Sequence, residues 1–258
     1  MGYERFAPVD RVIDVCGTSF TFWLPPDFEA LFDVEAFERD ERIPYWANVW
    51  ESAVVLAEDV AAMEGCGRRF LELGCGLALP AMVAQRRGFQ AVASDYEEDA
   101  LEGVRFNADR NGAEGLQMLL LDWRCLPDDV PTFDLVVAAD VLYEKYHADA
   151  LAGVVARVLA PHGVALVADP GRARAVNFEP AIRAAGLGVV AAAGLGALSI
   201  AVLYRPLQRR GASSLVMVMG SSMLRLDSRI TKPVINLVME AIGRMALSFL
   251  LSRTSWVS

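Results

Sequence analysis

The sequence is poor in the residues that proteins use to hold metals and disulfides. It has 258 residues but only four cysteines and two histidines. No two cysteines form a C-x-x-C pair, so the sequence predicts neither a zinc site nor a disulfide framework. Such a composition favours a reducing compartment, and we expect a cytoplasmic protein. The residues concerned are Cys16, Cys66, Cys75, Cys125, His147 and His162, and we expect both histidines to be structural or solvated.

Residues 1–206 also lack an excess of basic over acidic side chains. The net charge is −9, although residues 207–258 contain seven Lys/Arg and only two Asp/Glu. The preceding residues are therefore more acidic than the whole-chain value indicates. A strongly acidic domain argues against a nucleic-acid substrate. It is compatible with a basic protein partner, although acidity can also simply keep a protein in solution.

Neither a secretory leader nor a membrane-spanning helix is predicted. The first five residues, Met-Gly-Tyr-Glu-Arg, are not followed by the apolar run of a signal peptide. Residues 233–251 have the apolar content of a helix, but Glu240, Gly243 and Arg244 interrupt it. Two charges and a glycine argue against a spanning segment. Docking on the domain, a dimer seam and an interfacial helix stay open for this stretch.

The centre of the sequence is a strand, a glycine turn and a helix. Phe70, Leu71 and Leu73 form the apolar run of a buried parallel strand, and Gly74 and Gly76 follow at once. We expect the two glycines to let a ligand press close to the main chain. A dinucleotide fingerprint needs a third glycine five residues after the first, where this chain has leucine. The alternative is a tight structural turn.

Strands and helices alternate after this turn, which predicts a mostly parallel sheet with helices on both faces. An N-terminal hairpin, an acidic helix over residues 27–41 and a helix from Pro44 to about Met63 precede it. Trp46 and Trp50 would then share one helix face, as a lid or as a packed pair. Later strands are predicted at 90–94, 117–121, 133–138, 163–168, 187–192 and 198–204, with helices at 80–87, 97–111, 149–159 and 173–185.

Each predicted parallel strand ends in glycine or an acid. Ligands of such sheets bind at the carboxyl ends of the strands. Asp95 would accept the hydroxyls of a ribose, or cap the next helix. Asp122 and Trp123 would bind an adenine amine and stack on its ring, unless the tryptophan is simply buried. Asp140 and Tyr143 would receive the acceptor group, or else serve as a helix cap and a core tyrosine.

The segment Glu72-x-Gly74-x-Gly76-x-Ala78 resembles motif I of class I methyltransferases, which bind S-adenosylmethionine (SAM). That family usually has a third glycine where Ala78 stands. Pro44-Tyr-Trp-Ala, Val49-Trp-Glu-Ser-Ala and Ala139-Asp-Val-Leu-Tyr143 extend the likeness to methyltransferase family 16 over about residues 40–206. This family includes many protein-lysine methyltransferases. The segment Asp169-Pro-Gly-Arg172 is similar to one in the branch that methylates the electron-transfer-flavoprotein β subunit, which is also labelled nicotinamide N-methyltransferase-like in bacteria.

The resemblance implies a Rossmann-like class I methyltransferase with a seven-stranded, mostly parallel sheet. It implies SAM as cofactor and a lysine side chain of a protein as acceptor. The D-x-x-Y signature of the family matches Asp140 and Tyr143, the implied catalytic pair. The residues implied to hold SAM are Trp50, Glu72, Gly74, Gly76, Asp95, Tyr96, Asp122, Trp123 and Ala139.

The two chemical tasks of a lysine methyltransferase suit this catalytic pair. A lysine has an ordinary pKa of about 10.4 and must lose a proton before it attacks. A carboxylate such as Asp140 can bind the arriving ammonium and orient the amine. The aromatic face of Tyr143 can hold the cation through its quadrupole. Arg172 either anchors an acidic group of the substrate or follows a helix start at Asp169 and Pro170.

Four other functions are considered from the sequence. A nucleic-acid amine methyltransferase would have two prolines after the fourth strand, which Asp140-Val-Leu-Tyr143 lacks. A metal-assisted O-methyltransferase would use Asp140 and Asp169 but would also have Asn where this chain has Pro170. A small-molecule N- or O-methyltransferase and a SAM-binding scaffold without turnover are the two alternatives that stay open.

We predict three segments and leave the oligomeric state open. Residues 1–43 form an N-terminal β and acidic helical segment, and residues 44–206 form the methyltransferase domain. Residues 207–258 form a basic extension that holds five of the nine methionines. Because the family likeness stops where this extension begins, a read-through or altered-frame addition, which would be poorly ordered, is a further alternative for it.

Overall fold

A computed structural model describes residues 3–26, 31–32, 34–40, 43–195, 198–204 and 217–219. The chain divides into two compact units. The first comprises residues 1–127 together with 137–139, and the second comprises residues 128–136 together with the chain from residue 140 onward.

The first unit begins with a hairpin and continues as alternating helices and strands. Strands β1 (Val9–Val15) and β2 (Thr18–Leu24) pair antiparallel as a two-stranded sheet, which confirms the predicted hairpin. Phe20, Phe22 and Leu24 of β2 are buried, as the alternation of a strand with one covered face requires. The following elements are α1 (Val34–Asp40), α2 (Glu51–Ala61), β3 (Arg69–Leu73), α3 (Leu79–Arg86), β4 (Gln90–Asp95), α4 (Glu98–Arg110) and β5 (Gln117–Leu120).

The sheet of the first unit is parallel and buried around β3. β4 lies between β3 and β5 and pairs with both in parallel register, while the last residues of β6 (Phe133–Ala139) lie on the other side of β3. The last four residues of β3 are all buried, and so are most residues of β6. Apolar strands covered on both faces are typical of parallel sheets with helices above and below.

Two asparagine side chains attach the hairpin to α4. The amide of Asn111 accepts a hydrogen bond from the Thr21 N–H at 2.8 Å and donates one to the Thr21 carbonyl at 3.0 Å. Asn107 does the same for Trp23, with distances of 2.7 and 3.3 Å. Residues 107 and 111 are one helical turn apart, and residues 21 and 23 are on the same edge of β2, so the two spacings match.

The second unit contains the remaining strands of the fold. It starts with the first part of β6 and continues with α5 (His147–Val158), β7 (Leu159–Asp169), α6 (Phe178–Ala184), β8 (Gly188–Leu195) and β9 (Leu198–Tyr204). The strand order is β6-β7-β9-β8, and β9 runs antiparallel to both neighbours. This closing hairpin confirms the predicted antiparallel strand.

The predicted α/β class with a parallel central sheet is confirmed, but the count of seven strands is not. A short strand β10 (Met217–Met219), which was not predicted, pairs in parallel with β8 of the second unit. This pairing could not be predicted because three residues carry no readable periodicity. The predicted helix at residues 233–251 lies outside the described residues.

The helix predicted to begin at Pro44 is wrong in its first turn. Residues Tyr45–Ala47 form a 3-10 turn, and Asn48 and Trp50 then adopt extended backbone angles before α2 begins. Trp46 and Trp50 therefore do not share a helix face. The predicted helix at 173–185 is likewise a 3-10 turn, Ala173–Asn177, followed by α6.

The described helices are all too short or too polar to cross a bilayer.

Candidate active site

The turn after β3 is built from left-handed backbone. Gly74 has φ +63°, Gly76 has φ +51°, and Ala78 has φ +59° at the start of α3. The two glycines adopt these angles without steric cost, whereas alanine does so at a cost of about 1–2 kcal/mol. The chain therefore makes the turn of motif I even though alanine replaces the usual third glycine.

The main chain of Trp46 lies against Gly76. A Cβ atom added to Gly76 would be 3.2 Å from the Trp46 carbonyl oxygen, which is tighter than most Cβ contacts in proteins. Packing inside the first unit therefore favours glycine at this position even without a ligand, as the alternative of a tight structural turn predicts. Trp46 is buried, and the neighbouring Trp50 is half-buried with its indole N–H donating to the Tyr45 carbonyl at 2.9 Å.

Glu72 is fully buried beneath the turn. Its Oε2 atom accepts a hydrogen bond from the Ala81 N–H at 2.8 Å, in the first turn of α3. Burial raises the pKa of Glu72 to about 8, against the lowering effect of that hydrogen bond. The predicted cofactor ligand is therefore placed as a helix-capping group under the glycine turn.

Asp95 connects the ends of β3 and β4. Its Oδ2 accepts the Gly76 N–H at 2.9 Å and its Oδ1 accepts the Glu97 N–H at 3.1 Å. Burial raises the pKa of Asp95, while backbone hydrogen bonds from Gly76, Glu97 and Tyr96 act in the opposite direction. A carboxylate has about four acceptor sites, so Asp95 can bind these three N–H groups and still accept a ribose hydroxyl. Both interpretations given for this residue, ligand and local cap, are compatible with the geometry.

Tyr96, Asp122 and Arg124 lie together beside the end of β4. The Leu121 N–H donates to the Asp95 carbonyl at 2.8 Å, which brings the residues after β5 to this place. Arg124 binds the Asp122 carboxylate with two nitrogens, and its guanidinium lies 5.9 Å from the Tyr96 ring centre. Tyr96 is exposed and Trp123 is half-buried, so both retain ring surface that a flat ligand could contact.

Asp140 follows directly after Ala139, the last residue of β6. It is buried and left-handed, with φ +60°, and its N–H donates to the Ala168 carbonyl at 2.9 Å. Aspartate tolerates this conformation better than most residues, but the conformation is uncommon and occurs most often at functional positions. Arg172 Nη1 lies 2.7 Å from Asp140 Oδ1 and 3.0 Å from Asp169 Oδ2.

Tyr143 packs against His147, one of the two histidines of the sequence. The ring centre of His147 is 4.6 Å from that of Tyr143 and 4.7 Å from that of Tyr146, edge to face in both cases. His147 is buried, and its Nδ1 contacts the Val141 carbonyl oxygen at 2.7 Å. His147 therefore fixes the loop from Asp140 to Tyr146 at the start of α5, which agrees with the structural role expected for it.

The predicted site residues thus fall into two groups. The first unit holds Trp50, Glu72, Gly74, Gly76, Asp95, Tyr96, Asp122, Trp123 and Ala139, and the second unit holds Asp140 and Tyr143. The sequence analysis missed the ion pair of Arg124 with Asp122 and the contact of Trp46 with Gly76. The only sequence signal for the ion pair was an arginine two positions after an acid. The described residues contain no group of three or more His, Cys, Asp or Glu arranged to hold a metal.

The chemistry of the first group fits an adenosyl cofactor. Ribose hydroxyls and an adenine amine are donors, and the carboxylates of Asp95 and Asp122 are acceptors. The rings of Tyr96 and Trp123 offer stacking surface, and the left-handed glycines keep side chains away from the turn. This arrangement is the one expected of a SAM-dependent methyltransferase domain. Residues 65–186 match a family described as a methyltransferase domain, which supports SAM as the cofactor.

The chain resembles enzymes that methylate proteins. It is 34% identical over 107 residues to the histone-arginine methyltransferase METTL23 of Xenopus laevis, covering 39% of this chain and 46% of that protein. It is 30% identical over 144 residues to the electron transfer flavoprotein beta subunit lysine methyltransferase of Xenopus laevis, covering 54% and 57%. This second match confirms the resemblance found in the motifs. The chain spans about half the length of these curated relatives.

A solved structure supports the fold. The 16S rRNA N2 G1207 methyltransferase of Thermus thermophilus, in complex with AdoMet and guanosine, superimposes with a TM-score of 0.57 at 16% identity. The match covers 76% of this chain and 50% of that one. At this identity the likeness shows a shared fold and carries no information on the acceptor.

Proposed function

We propose that the chain is a SAM-dependent N-methyltransferase that modifies a lysine side chain of a protein, in the cytoplasm and without a nucleic-acid substrate. The observation that carries this proposal is the buried, left-handed Asp140 at the end of β6, in the D-x-x-Y spacing with Tyr143. The curated relatives named above methylate proteins, which supports a protein acceptor. The acidic net charge favours basic segments of such a partner.

The cofactor roles follow from the first group of residues. Gly74 and Gly76 would leave room for the cofactor beside the main chain, and Asp95 would accept the ribose hydroxyls. The adenine and the rest of the cofactor would be surrounded by Asp122, Tyr96, Trp123 and Trp50. When bound, SAM supplies an electrophilic methyl group for in-line displacement, so the protein mainly has to align two partners. Glu72 would support this site indirectly, because its carboxylate accepts the Ala81 N–H in the first turn of α3.

The acceptor roles follow from the second group. Asp140 would bind the incoming ammonium and orient the amine after its proton leaves. Tyr143 would present its ring to the cation, held in place by the edge-to-face contact with His147. A carboxylate in a buried position is worth more to a cation than one in water, because the local dielectric constant is lower.

An arginine acceptor is the second candidate. The METTL23 relative acts on arginine, and the Asp140 carboxylate already binds a guanidinium in this structure. The same experiment separates the two possibilities, because mass spectrometry identifies the modified residue.

The test uses isotopically labelled SAM and a cell lysate. The purified protein is incubated with tritiated SAM and lysate proteins, and the labelled species are identified by mass spectrometry. We expect methyl-lysine on a protein. Asp140→Asn should lower transfer at least about 100-fold, the order expected when a group that positions the acceptor is lost. It should leave the affinity for S-adenosylhomocysteine within about twofold of wild type, because the cofactor ligands are in the other group.

Asp140→Asn suits this test because asparagine also tolerates left-handed backbone. Asp149→Asn, on the exposed face of α5, is the matched control and should retain full activity. Full transfer by Asp140→Asn would remove the catalytic role. Calorimetry without heat for either SAM or S-adenosylhomocysteine would remove the proposed function, and binding without transfer to any acceptor would favour the scaffold.

A further inference from the structure

One nitrogen of Arg172 joins two buried carboxylates. The side chains of Asp140 and Asp169 are 6% and 4% exposed, and both approach Nη1 of Arg172 within 3.0 Å. Burying two carboxylates close together is unfavourable unless a cation accompanies them. Arg172 is that cation, and its own side chain is 30% exposed.

The loop after β7 is folded so that Arg172 reaches back to the strand ends. Asp169 Oδ1 accepts the N–H groups of Gly171 and Arg172 at 2.8 and 2.7 Å. Gly171 is left-handed at φ +83°, which turns the chain sharply at this point. Asp169 thus binds the loop backbone with Oδ1 and the Arg172 guanidinium with Oδ2. These hydrogen bonds fix the loop that carries the Arg172 side chain.

The net charge of Asp140, Asp169 and Arg172 determines how strongly this place would bind a protonated amine. Two carboxylates and one guanidinium leave one net negative charge. A single negative charge attracts an ammonium. Two uncompensated carboxylates would hold the ammonium more tightly and would oppose loss of its proton. No net charge would give little attraction.

We propose that Arg172 is a positioning residue that sets the charge around Asp140 to one net negative charge, matched to a single acceptor cation. This inference rests on the proposed function, because it assumes that Asp140 receives the acceptor. Of the two interpretations given for Arg172, the anchor for an acidic group of the substrate is disfavoured, since the guanidinium already binds two carboxylates of its own chain.

The experiment compares two analogues of S-adenosylhomocysteine by calorimetry at pH 7. In both, nitrogen replaces sulfur and carries a short alkyl branch. One branch ends in a primary amine, which is charged, and the other ends in a methyl group. The ratio of the two dissociation constants measures the preference of the acceptor site for a positive charge, independently of how well the adenosyl part binds.

Four variants change the charge around Asp140 in known steps. Arg172→Gln should raise the preference for the charged analogue about tenfold, because one more negative charge is left uncompensated. Asp169→Asn should lower it about tenfold, because no net charge remains while asparagine keeps an oxygen for the loop. Arg172→Lys should keep the wild-type ratio, since a single nitrogen makes both contacts. Arg183→Gln, which breaks an exposed pair with Glu179 on α6, should change nothing.

The outcomes separate this inference from the function on which it rests. Opposite shifts for Arg172→Gln and Asp169→Asn support the inference, and a purely structural role would not produce them. If wild type prefers the charged analogue but the ratio does not move in these variants, the inference is wrong and the function stands. If wild type binds S-adenosylhomocysteine but shows no preference, the amine acceptor itself is refuted. If Arg172→Gln does not fold, the other two variants suffice. A lower preference in Asp169→Asn with an unchanged preference in Arg172→Lys supports the inference, and an unchanged preference in Asp169→Asn refutes it.

Discussion

Four residues near the proposed chemistry have left-handed backbone, as do several residues elsewhere in the described chain. Gly74, Gly76, Ala78 and Asp140 all have positive φ, and all lie within a few residues of a strand end. At Ala78 and Asp140 the conformation is held against its intrinsic cost by the surrounding hydrogen bonds, such as the Asp140 N–H to the Ala168 carbonyl. Strain kept at such positions indicates that the exact path of the main chain matters there.

Gly76 offers a test of this requirement. Gly76→Ala should destabilise the protein by about 2–3 kcal/mol, because the left-handed conformation costs about 1–2 kcal/mol and the new Cβ meets the Trp46 carbonyl. The matched control is Gly112→Ala, which has φ +63° and no atom within 4 Å of the added Cβ. Urea unfolding of both variants measures the difference. Equal losses would show that Trp46 does not restrict this position.

Glu72 should make stability depend on pH. Its pKa is raised from 4.5 to about 8, so the folded state keeps a proton that the unfolded state has lost between these values. The stabilisation that protonated Glu72 contributes is therefore complete below pH 4.5 and is lost as the pH rises towards 8. Between pH 4.5 and pH 8 the wild-type protein should lose stability, so the Glu72→Gln variant should become more stable relative to wild type.

The Glu72 effect is measured as the difference in unfolding free energy between variant and wild type at pH 5 and pH 8.5. One pKa unit corresponds to about 1.4 kcal/mol, so a change of a few kcal/mol is expected. Glu114→Gln, an exposed loop position, is the control and should show a constant difference. A constant difference for Glu72→Gln as well would mean that Glu72 is ionised throughout.

At the scale of elements, the hairpin β1–β2 depends on α4 for its position. Asn111→Leu would leave the N–H and C=O groups of Thr21 without their amide partner in a half-buried place. Losing such partners costs about 1–3 kcal/mol, which urea unfolding would detect. Asn48→Leu removes an exposed hydrogen bond from Arg11 and should cost less than about 1 kcal/mol. Equal effects of the two substitutions would refute a special role for the α4 asparagines.

At the scale of the whole molecule, the sequence predicted what local patterns determine. Apolar runs located β3, β4, β5 and β6, and the glycine or acid after each run indicated the functional edge of the sheet. The start of α2 was predicted wrongly because Pro44 and the aromatic spacing favour a helix, whereas Asn48 and Trp50 are extended. The partners of Gly76 and Asp140 could not be predicted, because Trp46 and Arg172 are about 30 residues away in the sequence and reach them only through the fold.

The amides of Asn107 and Asn111 have a consequence beyond anchoring. A strand whose outer peptide groups face water can recruit a segment of a second molecule and start a fibrous assembly. In β2 these groups at Thr21 and Trp23 are already taken by side chains that cannot extend a ladder. At these two residues β2 is thereby closed to pairing with a further strand, and Asn107 and Asn111 at the end of α4 close it.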